Sequence, residues 1–350
     1  MFNNSDRNFG CRYMEVSLGG NRLLIIENEK LRLSILPDQG CDIVEFLHKE
    51  SDISFLWRTL KGLNSLDKRH KHYSDFFYQA YHGGWFEAFP NVGLSCNHNG
   101  LNFEPYDEVK YLPWDYEVQK DTPGELRIKF TVQTLKTPFI LEKTLVVESG
   151  SYSVMIEESI VNMGREPLGY QWGHHPLLGE PFLSGDCVID FPGGNINTYF
   201  EFDEARVKQG EKGEWPIMQG KNGKVDLHQF PAKNSGINEF YWISELKGNW
   251  VAVRNQSLDL GFGLSWDPDM FNNCLFWYNA NGDKGYPHYG NAYIFCIMPS
   301  TSDTHTIEEE VKKGTINIIN PGESARTWIT ATIFKSNKEV NNISRKGEVS

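Results

Sequence analysis

Alternation of apolar and polar residues is the feature of this sequence that most restricts its fold. The apolar residues of ELRIKFTV are separated by single polar ones, as in TWITATIF (327–334); in the first segment they are Leu126, Ile128, Phe130 and Val132. Successive side chains of a strand point to opposite faces, so this pattern predicts strands with one buried face. LRLSILP, SYSVMIEESIV and NWVAVRN are further short β-rich segments. The sequence therefore favours an all-β fold of large antiparallel sheets over a parallel α/β fold.

One short helix is predicted in TIEEEVKKG (306–314). Thr306 is a suitable N-cap, and Glu309 stands three residues later, as in a capping box. Acidic residues fill the first turn, lysines fill the last, and Gly314 is suited to end the helix. The acidic run is thus interpreted as a solvated helix start rather than a catalytic cluster.

The charge of the chain argues against two classes of partner. Its 46 acidic and 34 basic side chains give a formal charge of −12, and no run of Lys or Arg forms a phosphate-binding stripe. Nucleic acid and anionic membranes are therefore not expected as partners. No apolar stretch approaches the roughly 18 residues of a spanning helix. The first residues, MFNNSDRNFG, lack the apolar core of a signal peptide, so a cytoplasmic protein is expected.

A single domain over residues 1–350 is the simplest organisation, because no internal repeat or low-complexity linker divides the chain. Its core is expected at about 32–334, followed by a loose polar tail at 335–350. Two polar, glycine-containing segments, 61–75 and 203–224, are predicted to leave the sheets, and the first is expected to border a site.

Neither the cysteines nor one histidine pair predicts a metal site or a disulfide framework. The six cysteines are scattered without a CxxC pair, so reduced and mostly buried cysteines are expected. His70 and His72 in HKH would share a strand face, but no third ligand is evident nearby. This segment is interpreted as a solvated loop, and no metal or other cofactor is expected.

The segment YHGGWFEAFPNVG (81–93) combines a glycine pair with polar and aromatic side chains. Gly83 and Gly84 permit unusual backbone angles or a close approach of a ligand. By itself, the segment favours a glycine-rich turn whose aromatic residues pack into the core. Its candidate stacking and hydrogen-bonding residues are His82, Trp85, Glu87 and Asn91.

Two adjacent histidines precede a proline in YQWGHHPLL (170–178). If this segment is extended, His174 and His175 point to opposite faces, so only one of them can serve a given pocket. Pro176 restricts the backbone of the preceding residue to the extended region. His175 is therefore the better candidate.

Five segments, in the same order, resemble the aldose 1-epimerase (galactose mutarotase-like) superfamily, in particular its aldose-epimerase-related branch. The similarity extends from about Arg32 to Phe334. The segments are LSILPDQGCDIVEFLHK; GGWFEAFPNVGLSCNHNG with PYDEVKYLPWDYEV; IVNMGREPLGYQWGHHPLLG; CLFWYNANGDKGYPHYGNAYIFCIMPSTS; and NPGESARTW.

The resemblance implies a β-supersandwich with a sugar cleft, and interconversion of the α and β anomers of an aldose. In this family a histidine protonates the ring oxygen while a glutamate removes the anomeric hydroxyl proton, and the ring opens and closes on the other face. Each such proton transfer typically contributes 10²–10⁴-fold. The family histidine corresponds to His175.

This sequence departs from the family pattern at three positions. Met298 in CIMPST stands where the catalytic glutamate is expected, and a methionine cannot accept a proton at neutral pH. Tyr106 replaces a sugar-binding histidine, and Leu94 stands where related proteins often carry an arginine.

Three hypotheses follow from these departures. Another carboxylate, Glu87 or Asp283, serves as the base; the protein binds a carbohydrate without epimerising it; or it performs other carbohydrate chemistry with His175. Anomer interconversion is preferred, with His175 as general acid and Glu87 as base. The expected partner is an unphosphorylated sugar, and the sequence does not specify the oligomeric state. The residues expected to line the cleft are His82, Trp85, Asn91, Tyr106, His174, Trp277, Asp283 and Met298.

Overall fold

Two large antiparallel β-sheets form the body of the protein. The structure is a computed structural model that describes residues 7–63, 81–200, 202–335 and 337–350. One sheet has fourteen strands and the other has eight, and two further pairs of strands lie outside them. The predicted all-β fold of large antiparallel sheets is confirmed.

The first sheet contains the strands that carry the candidate site. From one edge to the other its strands follow the order β1, β2, β3, β4, β6, β14, β24, β23, β20, β16, β17, β18 and β19, with β5 paired to β4. These strands are β1 (Arg12–Leu18), β2 (Asn21–Glu27), β3 (Leu31–Leu36), β4 (Asp42–His48), β5 (Ile53–Ser54), β6 (Trp85–Ala88), β14 (Gly173–Leu178), β16 (Asn195–Asn197), β17 (Lys212–Glu214), β18 (Ile217–Gly220), β19 (Gly223–Asp226), β20 (Ile237–Ser244), β23 (Asn273–Ala280) and β24 (Tyr293–Ser300).

The second sheet covers one face of the first. Its order is β15, β21, β22, β26, β12, β11, β10 and β9, while β7 pairs with β8 and β13 with β25. These strands are β7 (Cys96–His98), β8 (Leu101–Phe103), β9 (Asp115–Asp121), β10 (Glu125–Gln133), β11 (Phe139–Glu148), β12 (Ser153–Asn162), β13 (Leu168–Tyr170), β15 (Cys187–Asp190), β21 (Trp250–Asn255), β22 (Leu260–Trp266), β25 (Asn317–Ile319) and β26 (Ser324–Phe334).

Strand β10 shows why the alternating pattern predicts the fold. Its buried and half-buried positions alternate along almost its whole length, and the buried side chains lie in the main core between the sheets. These side chains are Leu126, Ile128, Phe130 and Val132. The other four predicted segments also form strands, namely β3, β12, β21 and β26.

The central strands of the first sheet are buried on both faces. In β23, Phe276 packs into the main core between the sheets, whereas Leu275 and Trp277 belong to a second apolar cluster on the other face. In β24, Ile297 and Met298 divide in the same way. This second apolar layer forms the floor of the candidate site.

The predicted helix is present as α1 (Ile307–Lys313). The side chain of Thr306 accepts a hydrogen bond from the backbone N–H of Glu309, which caps the helix. Gly314 ends it with φ of 75°, in the left-handed region that glycine adopts without strain. A short 3₁₀ helix spans Val109–Tyr111. No helix in the described ranges is long and apolar enough to cross a membrane.

The fold tests two further expectations, on the cysteines and on the segment 203–224. All six cysteines are free, and all but the half-buried Cys96 are buried, as predicted. The predicted excursion 203–224 is wrong in part, because it contains β17, β18 and the start of β19 at one edge of the first sheet. Most of the other excursion, 61–75, lies outside the described residues.

The prediction of a loose tail is wrong. Val340 and Ile343 are buried against Trp250 and Ala252 of β21. The backbone N–H of Val340 also donates to Asp190 at 3.0 Å. Two apolar residues within a polar segment are enough to attach it to the sheet, because burial of each removes apolar surface from water.

We expect Ile343→Ala to lower the free energy of unfolding by about 2–5 kcal/mol, because the side chain is buried and its loss leaves a cavity. Asn341→Ala, at an exposed position of the same segment, is the control and should change stability by less than about 0.5 kcal/mol. Urea denaturation measures both. Equal stability of the two variants would contradict a packed tail.

Candidate functional site

A cavity of about 330 Å³ lies over the face of the first sheet that points away from the second sheet. Part of its floor is a row of side chains that crosses neighbouring strands. Trp242 pairs with Leu275, and Leu275 pairs with Met298. The register of β14 and β24, in which Gly173 pairs with Ser300 and Leu177 with Cys296, continues this row to His175.

The register also settles the position of Met298. It lies next to His175 in the adjacent strand, and both residues line the cavity. The residue that stands in place of the expected glutamate is therefore at the centre of the floor, with no carboxylate of its own.

Aromatic rings form much of the cavity wall. Trp277 and Phe240 stack with ring centroids 5.1 Å apart and planes inclined by 7°. The indole N–H of Trp277 donates to Asn238 at 2.8 Å, which fixes the ring in its plane. Such a surface suits the apolar face of a ring-shaped ligand. Other aromatic lining residues are Tyr81, Tyr106, Phe200, Phe202, Trp242 and Tyr286.

The charge of the cavity is low. Asp283 is the only Asp, Glu, Lys or Arg side chain that lines it among the residues the structure describes. The histidines His175, His288 and His305 also line it. Leu94, which occupies the position of an expected arginine, lies at the rim and is half exposed.

The ring of His175 is held between other rings. It stacks on Phe86, with centroids 4.4 Å apart, and meets the edge of Tyr106 at 5.3 Å. Its Nδ1 is buried without a hydrogen-bond partner among the described residues. Burial lowers the pKa of His175 to about 3, so the ring is neutral at neutral pH. A neutral imidazole has one nitrogen with a free lone pair and one N–H, so it can accept one hydrogen bond and donate another.

His174 lies on the opposite face of β14 and does not line the cavity. Its Nδ1 accepts the indole N–H of Trp85 at 3.2 Å, and its Nε2 donates to Glu158 of β12 at 2.8 Å. The hydrogen-bond partners thus define the tautomer. The expectation that His174 and Trp85 line the cleft is corrected, because both point into the space between the sheets.

Glu87, the expected base, is on that same inner face. It pairs with His174 in the register of β6 and β14, while His175 pairs with Phe86. Its carboxylate accepts hydrogen bonds from Lys143 at 2.9 Å and from the indole of Trp172 at 2.7 Å. The sheet itself therefore separates Glu87 from the cavity, and its assignment as base is corrected.

The protonation of this buried network follows from its contacts. Burial by itself would raise the pKa of Glu87, but the Lys143 ammonium and the other donors outweigh it, so the pKa is lowered. The pKa of Glu158 is raised, first by burial and then by the nearby Glu87. Glu87 is thus a charged structural group paired with a lysine of the second sheet.

His82 and Asn91 also support the cavity wall rather than line it. His82 contacts Asp42 at 3.0 Å in a buried cluster that includes Lys110. The side-chain amide of Asn91 donates to the backbone carbonyls of Leu94 and Glu104, which holds the loop that carries Tyr106. The expectation that these two residues touch a ligand is corrected, since their polar groups serve the protein.

Gly83 and Gly84 serve close backbone packing. Both have φ above 80°, and a Cβ would lie 2.4 Å from the carbonyl oxygen of Trp57 at Gly83 and 2.6 Å from that of Ile43 at Gly84. The backbone at these two glycines is therefore closely approached by the backbone of Trp57 and Ile43.

Of the expected residues, the cavity brings together His175, Tyr106, Trp277, Asp283 and Met298. It adds His288, whose Nδ1 hydrogen-bonds to Asp283, and His305, whose Nε2 accepts the indole N–H of Trp242 at 3.1 Å. Burial lowers the pKa of His305 to about 4. The sequence signal that could have found His288 is its place in the same loop as Asp283.

The described residues contain no cluster of three His, Cys, Asp or Glu side chains able to hold a metal ion. The pair His70 and His72 lies outside the described residues.

The fold is that of galactose mutarotase-like proteins. A proposed aldose 1-epimerase from Klebsiella pneumoniae superimposes with a TM-score of 0.72 at 17% identity, covering 93% of this chain and 87% of that chain. A galactose mutarotase-like protein from Clostridium acetobutylicum gives 0.65 at 13% identity, covering 93% and 99%. A proposed aldose 1-epimerase from Escherichia coli K12 gives 0.60 at 14% identity, covering 93% and 100%. At these identities the likeness shows the fold alone, and the predicted galactose mutarotase-like fold is confirmed.

The chain belongs to the family described as a domain of unknown function, DUF4432, whose model matches residues 19–333. No curated protein matches the chain.

We expect Lys143→Met to lower the free energy of unfolding by about 3–5 kcal/mol, because it removes the ion-pair partner of the buried Glu87. Lys129→Met is the matched control, since Lys129 pairs with Glu142 at a half-buried position and should cost no more than about 1 kcal/mol. Guanidinium denaturation compares the two. A similar small cost for both would mean that Glu87 does not need this partner.

We expect Met298→Glu to raise the pKa of His175, because a carboxylate in the adjacent strand favours the imidazolium ion. Met298→Gln has similar size without charge and should leave the wild-type value near 3. NMR titration of the His175 ring measures the pKa. An unchanged value in Met298→Glu would show that the two side chains do not meet.

Proposed function

We propose that the cavity binds a neutral sugar and that the protein interconverts its anomers. The observation that carries the proposal is the position of His175, held neutral on the floor of an aromatic cavity in a mutarotase-like fold. The named structural neighbours include proposed aldose 1-epimerases, which supports the reaction class.

The cavity wall favours an uncharged sugar. Trp277, stacked on Phe240, offers a flat surface for the apolar face of a pyranose. A phosphorylated sugar would need a cationic partner. None of the described residues that line the cavity is a Lys or Arg. Tyr106, Asn238 and Asp283 supply polar atoms for sugar hydroxyls.

The reaction needs one group to remove the anomeric hydroxyl proton and one to protonate the ring oxygen. The resemblance assigns the second role to His175. Because the Nδ1 atom of His175 is buried without a hydrogen-bond partner among the described residues, we assign it the first role instead. The second group must then be another residue of the cavity, to which Asp283 contributes a carboxylate.

Carbohydrate binding without turnover is the second candidate function. Met298 favours it, because it leaves the floor beside His175 without the carboxylate expected there. A sugar-binding protein would need the aromatic wall and the polar rim but no proton transfer.

We expect His175→Gln to abolish catalysed anomer exchange, because the variant keeps the hydrogen-bonding capacity of the side chain but has no basic nitrogen. Polarimetry on freshly dissolved α-D-glucose and α-D-galactose, and NMR exchange on a wider panel of neutral aldoses, measure the rate. His228→Gln, a half-exposed histidine that does not line the cavity, should retain it.

Two outcomes would overturn this assignment. Full activity in His175→Gln would exclude His175 as a proton-transfer group. If the wild-type protein exchanges no sugar faster than buffer does while one sugar raises its melting temperature, the binding function replaces the catalytic one.

A further inference from the structure

A pair of ionisable side chains lies beyond the end of β23, in the cavity that His175 also lines. Asp283 and His288 belong to the loop that follows β23, and both line the cavity. Nδ1 of His288 is hydrogen-bonded to Oδ2 of Asp283. The side chain of His288 is 9% exposed and that of Asp283 is 26% exposed.

The loop holds this pair in place. The backbone N–H of Gly290 donates to the carbonyl of Asp283 at 2.8 Å. The ring of His288 lies between the indoles of Trp57 and Trp277, with centroids 5.8 Å from each. Trp277 also forms the stacking surface proposed for the sugar, so His288 is next to the place where a pyranose would lie.

The second ring nitrogen of His288, Nε2, is the atom of this pair that could contact a ligand. Nε2 is buried and has no hydrogen-bond partner among the described residues. A buried polar atom without a partner is destabilising, which makes Nε2 a candidate contact for a ligand. A carboxylate can only accept, so Nδ1 carries a hydrogen. When His288 is protonated, the pair has no net charge and Nε2–H is a donor.

We propose that Asp283 and His288 act together as the second proton-transfer group, with His288 Nε2 as the atom that exchanges a proton with the ring oxygen of the sugar. This inference rests on the proposed function. A ring oxygen has lone pairs and no hydrogen, so it needs a donor, whereas the anomeric hydroxyl needs an acceptor. In this proposal His288 is the donor to the ring oxygen, and neutral His175 is the acceptor for the proton of the anomeric hydroxyl.

The step is balanced in protons and electrons. The C1–O5 bond breaks, its electron pair stays on O5, and O5 takes the proton of His288 Nε2. The O1–H bond breaks, its electron pair forms the C1=O1 double bond, and the proton moves to His175. After rotation about C1–C2, the reverse transfers close the ring on the other face. The net reaction uses no oxidant, reductant or cofactor.

Asp283 has a positioning role in this step. Its carboxylate orients the imidazole through the hydrogen bond to Nδ1. Asp283 supplies the carboxylate that is missing at position 298, but it lies at the rim of the cavity rather than in the centre of the floor.

The test is His288→Asn, which keeps an N–H group near the position of Nδ1 but has no titratable nitrogen. We expect kcat for anomer exchange to fall 10²–10⁴-fold, the range typical of one positioned proton transfer, with KM within about threefold. The matched control is His228→Asn. His228 also faces an aspartate, with Nε2 3.9 Å from Asp190, but does not line the cavity, so its kcat should be unchanged.

A second measurement does not depend on a folded variant. In the ¹⁵N-labelled wild-type protein, methyl α-D-glucoside and methyl α-D-galactoside keep the ring oxygen but cannot open. We expect the glycoside that raises the melting temperature to shift the Nε2 resonance of His288. A bound glycoside that leaves this resonance unchanged would overturn the inference.

The outcomes separate the two proposals. Wild-type kcat in His288→Asn, with activity lost in His175→Gln, would overturn the role of His288 and leave the proposed function standing. A wild-type protein that exchanges no sugar would overturn anomer interconversion itself, and the role of His288 with it.

Discussion

The buried contact between Glu87 and Lys143 is the interaction on which the site depends. It joins β6 of the first sheet to β11 of the second, and the contact between His174 and Glu158 joins β14 to β12 in the same way. A buried charge without its partner is strongly destabilising, so these contacts fix which face of each strand points inward. A slip of one residue would expose the whole network. Because Glu87 and His174 point inward, Phe86 and His175 must point outward.

The layer of side chains on the cavity face of the first sheet is apolar, in contrast to the charged network between the sheets. Its floor consists of apolar and aromatic side chains together with the imidazole of His175. Burial keeps this imidazole neutral. With methionine at position 298, the described floor row of Trp242, Leu275, Met298 and His175 contains no Asp, Glu, Lys or Arg. The described acidic group of the cavity is instead Asp283, in a loop that β23 carries to the rim. The two proposed proton-transfer groups thus come from a strand interior and from a loop.

Sequence patterns predicted the strands well because burial of one face leaves a local signature. The alternation in β10 and the cap of α1 depend on residues close in the chain, and both are present. The face of the sheet to which the Glu87 side chain points could not be predicted in this way. It depends on a partner in β11, more than fifty residues away. His288 was missed because a loop has no periodicity. The hydrogen bond that places it beside Asp283 leaves no periodic pattern in the sequence.

The sequence by itself determined the all-β fold, and it predicted that His174 and His175 point to opposite faces, because period-two geometry acts locally. Only the tertiary structure decided which carboxylates face a ligand. Glu87 is one residue from Phe86 in the chain, yet the sheet lies between it and the ring of His175. Asp283 is over a hundred residues from His175, yet both line one cavity. Side chains meet through strand pairing, and the pairing is fixed by burial across the whole molecule rather than by neighbours in the chain.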